Sequence, residues 1–216
     1  MAEAPTLAEL ARTVLATARV ATLTAGRCPA ARTATLTTVE ALPDGRPLVR
    51  LRAGSPAIAL LAASPVATIS VAAPTPFRTL DLSGRLLPHR PRAGDAPYAM
   101  TLLAARLTGT RSRSIAVDDF RAAAPDPLHH CAQAILAHLE TAHAGELLGC
   151  LRAHGQTDAI AVVPRVLDRY GLVVAILTAD GVRLSRLRFP GGPVSDLTGV
   201  TLGLRAALSC RCHDHD

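Results

Sequence analysis

The chain has 216 residues, 49% of them hydrophobic and 19% charged, so it can form a core and is not a disordered chain. Aromatic residues make up only 2%, which argues against binding single-stranded nucleic acid by base stacking. The net charge is +6. Residues 1–123 contain 15 arginines and 8 acidic residues, whereas residues 124–216 contain 8 arginines and 9 acidic residues. Because these arginines are scattered, they indicate a dispersed solvated surface, and we expect no nucleic-acid partner.

The cysteines and the N-terminus bear on the compartment. The five cysteines are odd in number and mostly isolated, which does not suggest a disulfide framework. The chain starts Met-Ala-Glu-Ala-Pro, with an acidic residue where a signal peptide would be basic. Residues 53–77 carry no charge, but four prolines forbid one continuous helix there. We therefore expect a cytoplasmic protein with no membrane contact.

The first 123 residues predict a domain made mainly of strands. It opens with a helix over Thr6–Ala18, for which Thr6 and Glu9 form a capping box. The further expected elements are strands Val20–Thr24, Thr33–Val39, Leu48–Leu51, Val66–Val71, Arg78–Leu87 and Ser114–Val117, and helices Pro56–Ala63, Leu102–Leu107 and Val117–Ala123. Closing such short antiparallel strands into a small barrel would remove exposed sheet edges.

Pro125-Asp-Pro127 marks the boundary to a second domain, 124–216, of mixed helices and strands. Its expected elements are helix Leu128–Leu151, strands Ala159–Val163, Leu172–Leu177 and Val182–Phe189, and helix Ser195–Leu208. An Asp168-Arg169-Tyr170-Gly corner connects the first two strands, and an Asp–Arg neighbour pair of this kind is most often a local salt bridge. Tyr170 could pack into the barrel or hydrogen-bond a ligand, and we favour an architectural role for the corner.

Histidines are the main candidates for chemistry. His138 and His143 are five residues apart, so on one helix they would diverge by roughly 140° and could not chelate a metal from one face. The tail Cys210-Arg-Cys-His-Asp-His-Asp216 holds two thiols and two imidazoles, which suit Zn²⁺, copper or haem iron, although such tails often have no ligand role.

Four motifs carry a family resemblance: Pro125-Asp-Pro-Leu128, His138-Leu-x-x-x-His143, Leu167-Asp-Arg-Tyr-Gly171 and Arg186-Leu-Arg-Phe189. Together they are similar to the HugZ-type haem-handling family, whose C-terminal domain also occurs in the plant glutamyl-tRNA reductase-binding proteins. The resemblance implies an α+β fold, an FMN-binding-type split β-barrel followed by a small α+β accessory domain. It also implies that the two histidines of the second motif are structural or interface positions.

The resemblance further implies haem as the cofactor. His213 and His215 are candidate iron ligands by their position near the chain end, and a neighbouring aspartate could orient the ring. Barrel arginines, of which Arg50 and Arg52 are the candidates, would meet the haem propionates. FMN is not expected, because Gly54-Ser-Pro-Ala-Ile-Ala-Leu-Leu61 replaces the histidine and Asn-Leu typical of flavin-binding members and offers almost no phosphate donors.

Three functions remain open from the sequence. The first is a haem-binding protein that acts in haem degradation or in haem and iron homeostasis, and that is haem oxygenase-like if it is an enzyme. The second is a non-catalytic adaptor that regulates a tetrapyrrole-biosynthesis enzyme, and the third, by analogy of fold alone, is a flavin- or deazaflavin-dependent oxidoreductase. In each case we expect a homodimer, because a small barrel usually buries its apolar outer face against a second copy.

Overall fold

A computed structural model describes residues 4–26, 33–74, 77–90 and 95–208. The chain divides into two compact units, one spanning Thr6–Pro125 and the other containing the described residues from Asp126 onward. None of the helices formed by these residues has the length and apolarity needed to cross a bilayer.

Within its described residues, the first unit contains seven strands and three helices. In chain order they are α1 (Leu7–Thr17), β1 (Val20–Ala25), β2 (Thr33–Ala41), β3 (Pro47–Arg52), α2 (Pro56–Ala63), β4 (Val66–Ala72), β5 (Phe77–Pro88), β6 (Asp95–Gly109), β7 (Arg113–Ile115) and α3 (Val117–Ala122). The predicted capping box of α1 is confirmed: the Glu9 backbone N–H donates to Thr6 Oγ1, and the Thr6 N–H donates to the Glu9 carboxylate.

The strands of this unit form a closed antiparallel barrel. Their order is β3-β2-β1-β4-β5-β6-β7, and an additional pairing of β3 with β6 closes six of them, leaving β7 as an extension. Alternating residues point inward and make the core, among them Leu23, Val49, Ile69, Leu82 and Leu107. The expected split-barrel fold is therefore confirmed.

The second unit is a three-stranded antiparallel sheet, in the order β10-β9-β8, packed against helices. Its elements are α4 (Ala132–Ala142), α5 (Ala144–Ala153), β8 (Ala161–Asp168), β9 (Gly171–Thr178), β10 (Gly181–Arg188) and α6 (Leu197–Leu208). Leu139, Leu147, Val174, Ile176 and Val200 contribute to a core separate from that of the barrel. The expected α+β region after the barrel is thus also confirmed.

The helix predicted at Leu102–Leu107 is wrong, because this segment is the middle of strand β6. β6 has a bulge: Gly84 pairs with Leu102 but Ser83 pairs with Ala104, so Leu103 is an extra residue. The bulge places the buried side chains of Leu102 and Ala105 three residues apart, a spacing that resembles one face of a helix.

The single helix predicted over Leu128–Leu151 is also wrong. The chain forms two helices, α4 and α5, which meet at His143, a residue with non-helical backbone angles. Gly145 follows at once, and glycine disfavours a helix interior by about 1 kcal/mol relative to alanine. The break changes the direction of the chain at His143 and, with it, the placement of the two histidines.

Candidate functional site

A buried ion pair holds the turn between β8 and β9. Both carboxylate oxygens of Asp168 accept hydrogen bonds from the Arg186 guanidinium, each at 2.8 Å, and the Asp168 side chain is only 8% exposed. The Tyr170 backbone N–H donates to the same carboxylate at 2.9 Å. The expected local partner was Arg169, but the structure pairs Asp168 with an arginine on β10 instead.

A second carboxylate, Asp126, anchors the other side of this corner. Its oxygens accept the backbone N–H groups of Leu128 and Arg169, each at 2.8 Å. Burial raises the pKa of Asp126, the charge of Asp168 acts in the same direction, and the two backbone hydrogen bonds oppose them. Folding therefore favours the protonated, neutral form of Asp126. The free energy of unfolding should accordingly fall as the pH rises through the raised pKa and the carboxyl ionises.

A small cavity of about 240 Å³ adjoins the corner. Its lining residues are Tyr170, Arg188, Phe189, Pro190, Gly192 and Pro193. The Arg169 guanidinium lies 5.6 Å from the centroid of the Tyr170 ring, on which it can make a cation–π contact. Since cofactor-sized sites usually occupy about 300–1,000 Å³, this cavity does not fit a haem.

His138 and His143 come together because the helix breaks between them. Their ring centroids are 5.0 Å apart, in contrast to the divergence that a continuous helix predicts. His143 Nδ1 lies 3.0 Å from a carboxylate oxygen of Glu146, and the side chains of this pair are 37% and 74% exposed. If Nδ1–H donates to that carboxylate, Nε2 keeps the lone pair that a metal needs.

Arg50 and Arg52 lie two residues apart on β3 and therefore share one face of the strand. The neighbours of these residues in β3, Val49 and Leu51, are buried, so the arginines belong to the outer side of the barrel. Arg50 forms an ion pair with Glu40 on β2, and its side chain is 24% exposed. An anionic ligand would have to share Arg50 with this carboxylate.

The outer sides of β2, β1 and β4 form a surface that we call the uncharged face. Its ten positions are Ala34, Leu36, Thr38, Val20, Thr22, Thr24, Val66, Thr68, Ser70 and Ala72, which the strand register places side by side. Leu36, which pairs with Thr22 of β1, is 74% exposed, and Arg50, which pairs with Thr38, borders the face. A solvated sheet face normally carries charges, so this surface is suited to contact with another molecule.

Two expected iron ligands, His213 and His215, lie outside the described residues. In the described part of the chain, no three side chains of the histidine, cysteine, aspartate and glutamate types gather closely enough to hold a metal ion. One pair that the sequence analysis missed is Cys150 and His154, whose Sγ and Nδ1 atoms are 3.5 Å apart. Their spacing of four residues on a helix is the signal that could have found them.

No protein-family model matches the chain, and no curated protein matches it either. Among solved structures, a haem-binding protein from Mycobacterium smegmatis superposes with a TM-score of 0.63 at 24% identity, over 95% of this chain and 99% of that chain. A protein of unknown function from Agrobacterium tumefaciens gives a TM-score of 0.45 at 18% identity, over 96% and 99%. The first likeness shows that the two proteins share a fold across nearly their whole lengths.

Proposed function

We propose that this protein binds haem and belongs with the HugZ-type haem-handling proteins that its motifs resemble. One observation carries the proposal: the fold matches that of a haem-binding protein over 95% of the chain, barrel and accessory unit included. Fold alone does not determine a ligand, so the proposal also needs residues that suit haem.

The uncharged face and its border offer such residues. A porphyrin is flat and largely apolar, which suits small uncharged side chains such as Thr22 and the exposed Leu36. Its carboxylates would be met by Arg50, which would exchange Glu40 for a propionate, and by the exposed Arg52. Bound haem would supply an iron centre that binds O₂ or transfers electrons.

The iron ligand comes, in this proposal, from the tail histidines, His213 or His215. Among the described histidines, His143 is the alternative, because Glu146 can fix its tautomer with Nε2 unprotonated. His89 is a suitable negative control: its Nδ1 accepts the Arg90 backbone N–H at 2.8 Å, so the proton of the neutral ring sits on Nε2.

Titration of the purified protein with haemin tests this proposal. We expect a sharpened and shifted Soret band at sub-stoichiometric haem for the unmodified chain and for His89→Ala. The band should be lost in the double variant His213→Ala/His215→Ala. Affinity should also fall as the pH drops from about 8 to 5.5, since protons compete for an imidazole with an ordinary pKa of about 6.5.

Two outcomes would contradict parts of this proposal. A free-haem spectrum with the unmodified chain would reject haem binding altogether. Retention of the Soret band in the tail variant, with its loss in His143→Ala, would keep haem binding but move the ligand to His143. Affinity that does not change with pH would indicate that no histidine ligates the iron, because arginine–carboxylate contacts hardly titrate in this range.

We further propose that two copies of the chain associate through the uncharged face, with the haem bound between them. Light scattering should then give twice the 22.5 kDa chain mass at micromolar concentration. Leu36→Glu would bury a charge in that interface and should give a monomer. The control is Leu7→Glu, since Leu7 is 37% exposed at the start of α1, where an acid is favourable. A monomeric unmodified protein, or a dimer with Leu36→Glu, would refute this interface.

A further inference from the structure

We propose that the cavity beside the β8–β9 corner binds a small planar carboxylate whose hydrocarbon part is about the size of one aromatic ring. We call it the corner cavity, and its described lining residues are Tyr170, Arg188, Phe189, Pro190, Gly192 and Pro193. All of them belong to the accessory unit, and none is among the residues proposed above to contact haem. This binding site is therefore separate from the proposed function.

The volume of the corner cavity suits a ligand built on one ring. The cavity measures about 240 Å³, whereas an apolar cavity of about 150 Å³ is already large enough to bind benzene. The difference leaves room for a carboxylate group on the ring. A molecule such as benzoate therefore fits the space that is present.

Two aromatic side chains form walls of the cavity, and a neighbour holds each of them. Phe189 is 5% exposed, and its ring packs so closely on α6 that a Cβ at Gly203 would lie 2.6 Å from Phe189 Cδ1. The centroid of the Tyr170 ring lies 5.6 Å from the Arg169 guanidinium. Because these contacts restrict both rings, a flat ligand meets apolar surfaces that need little further ordering.

The loop that completes the cavity, residues 189–194, is held by backbone hydrogen bonds. The Phe189 N–H donates to the carbonyl oxygen of Tyr170 at 3.2 Å, and the Val194 N–H donates to that of Arg169 at 2.8 Å. These two bonds tie both ends of the loop to the corner. The loop also contains two prolines, whose rings fix φ at about −65° and limit its motion. The cavity is therefore formed before a ligand arrives.

The charges of the corner favour an anion. Among the described residues here, the three arginines Arg169, Arg186 and Arg188 stand against two carboxylates. Arg186 and Asp168 neutralise each other through two hydrogen bonds of 2.8 Å. Burial raises the pKa of the second carboxyl, Asp126, so its negative charge is disfavoured. The corner thus keeps an excess of positive charge, which attracts a carboxylate.

Arg188 is the residue that we assign to the carboxylate of the ligand. It lines the cavity, and its side chain is exposed. A guanidinium has several N–H donors, so Arg188 can bind a carboxylate through two of them while it keeps another contact. The ring of the ligand would then lie against Tyr170 and Phe189, with its charged group at the solvent side of the cavity.

Isothermal titration calorimetry of the full-length protein with sodium benzoate tests the site. We expect one-to-one binding with a Kd of about 1 mM or below, an ordinary affinity for a ligand of this size. Acetate, which lacks the ring, and benzamide, which lacks the charge, should each bind at least about 10-fold more weakly. Changes in backbone amide NMR shifts on addition of benzoate should centre on Tyr170, Phe189 and Gly192.

Arg188→Gln should weaken benzoate binding by at least about 10-fold, because a charge-assisted contact through two donors becomes a neutral one. Since Arg188 is exposed, this variant should fold normally, and an NMR spectrum unchanged away from the cavity checks this. Arg183→Gln is the matched control. Arg183 is another exposed arginine of β10, but it binds Asp158 and does not line the cavity, so this variant should keep the affinity for benzoate.

Several results would overturn the proposal. One is the absence of saturable benzoate binding, and another is a set of NMR shift changes centred elsewhere on the protein. Equal affinities for Arg188→Gln and the unmodified chain would reject the carboxylate contact, and an equal loss in Arg183→Gln would leave only a general effect of charge on β10. Acetate or benzamide binding as tightly as benzoate would reject the ligand class. The haemin titration is independent of all these results, because neither variant changes a residue proposed to contact haem.

Discussion

Replacing Asp168 by alanine is expected to lower the free energy of unfolding of the accessory unit by about 3–5 kcal/mol, the range found when one partner of a buried ion pair is removed. The loss arises because Arg186 keeps its charge but loses both hydrogen-bond acceptors, and the Tyr170 backbone N–H loses its own. Urea denaturation, followed by tyrosine fluorescence in a Tyr98→Phe background, measures this loss in the free energy of unfolding. The chain has two tyrosines and no tryptophan, so the remaining fluorescence reports on Tyr170 at this corner.

The matched control for this prediction is Asp158→Ala. Asp158 also binds an arginine of β10, Arg183, through both carboxylate oxygens, but the two side chains are about half exposed. Exposed pairs contribute little to stability, so this variant should lose only a small fraction of what Asp168→Ala loses. Equal losses would show that burial does not distinguish the two pairs and that the corner is not anchored by Asp168.

Ion pairs of this kind show where prediction from sequence ends. The motif places Asp168 beside Arg169, yet the guanidinium that binds it belongs to Arg186, 18 residues further along the chain. The partner depends on the register of β9 with β10, which places Arg186 opposite Val173. The role of Asp126 was equally hidden from the sequence. Its position between two prolines indicated only a domain boundary, whereas in the fold its carboxylate accepts hydrogen bonds from two backbone N–H groups.

Local patterns predicted a helix or strand well where its buried residues kept one regular spacing from end to end. The capping box of α1 and the alternation of β4 and β5 lead directly to the observed elements. β6 was missed because its bulge at Leu103 interrupts the period of two on which strand recognition depends. The histidine pair was placed wrongly for the opposite reason: a period of 3.6 was extended through His143, where the helix ends.

The candidate site was harder to predict than the fold. Arg50 could be named from the sequence, but its pairing with Glu40 and its position beside the uncharged face depend on the order of β3, β2 and β1. Likewise, Cys150 Sγ lies 3.9 Å from the carbonyl oxygen of Ala207 on α6, a contact between residues 57 positions apart in the chain. Such relations join residues far apart in the chain, which no local pattern encodes.

Gly171→Ala is expected to be the second severe substitution, with a loss of about 2–6 kcal/mol, of which backbone strain and a steric clash each contribute about 1–3 kcal/mol. Gly171 has a φ of +149°, and a Cβ there would lie 2.1 Å from the carbonyl oxygen of Leu187 on β10. To relieve this contact, β9 and β10 must separate at the point where Gly171 pairs with Arg188. Part of the β10 ladder would then be lost along with the side-chain contacts.

Gly181→Ala separates the two contributions. Gly181 also has a positive φ, +134°, but nothing lies within 4 Å of the position that its Cβ would take. It should therefore lose only the backbone strain, about 1–3 kcal/mol, and any excess in Gly171→Ala measures the clash with β10. The same urea denaturation in the Tyr98→Phe background applies to both variants. Equal losses would mean that β9 and β10 can move apart at little cost, and the close contact at Gly171 would then be no constraint on the corner that holds Tyr170.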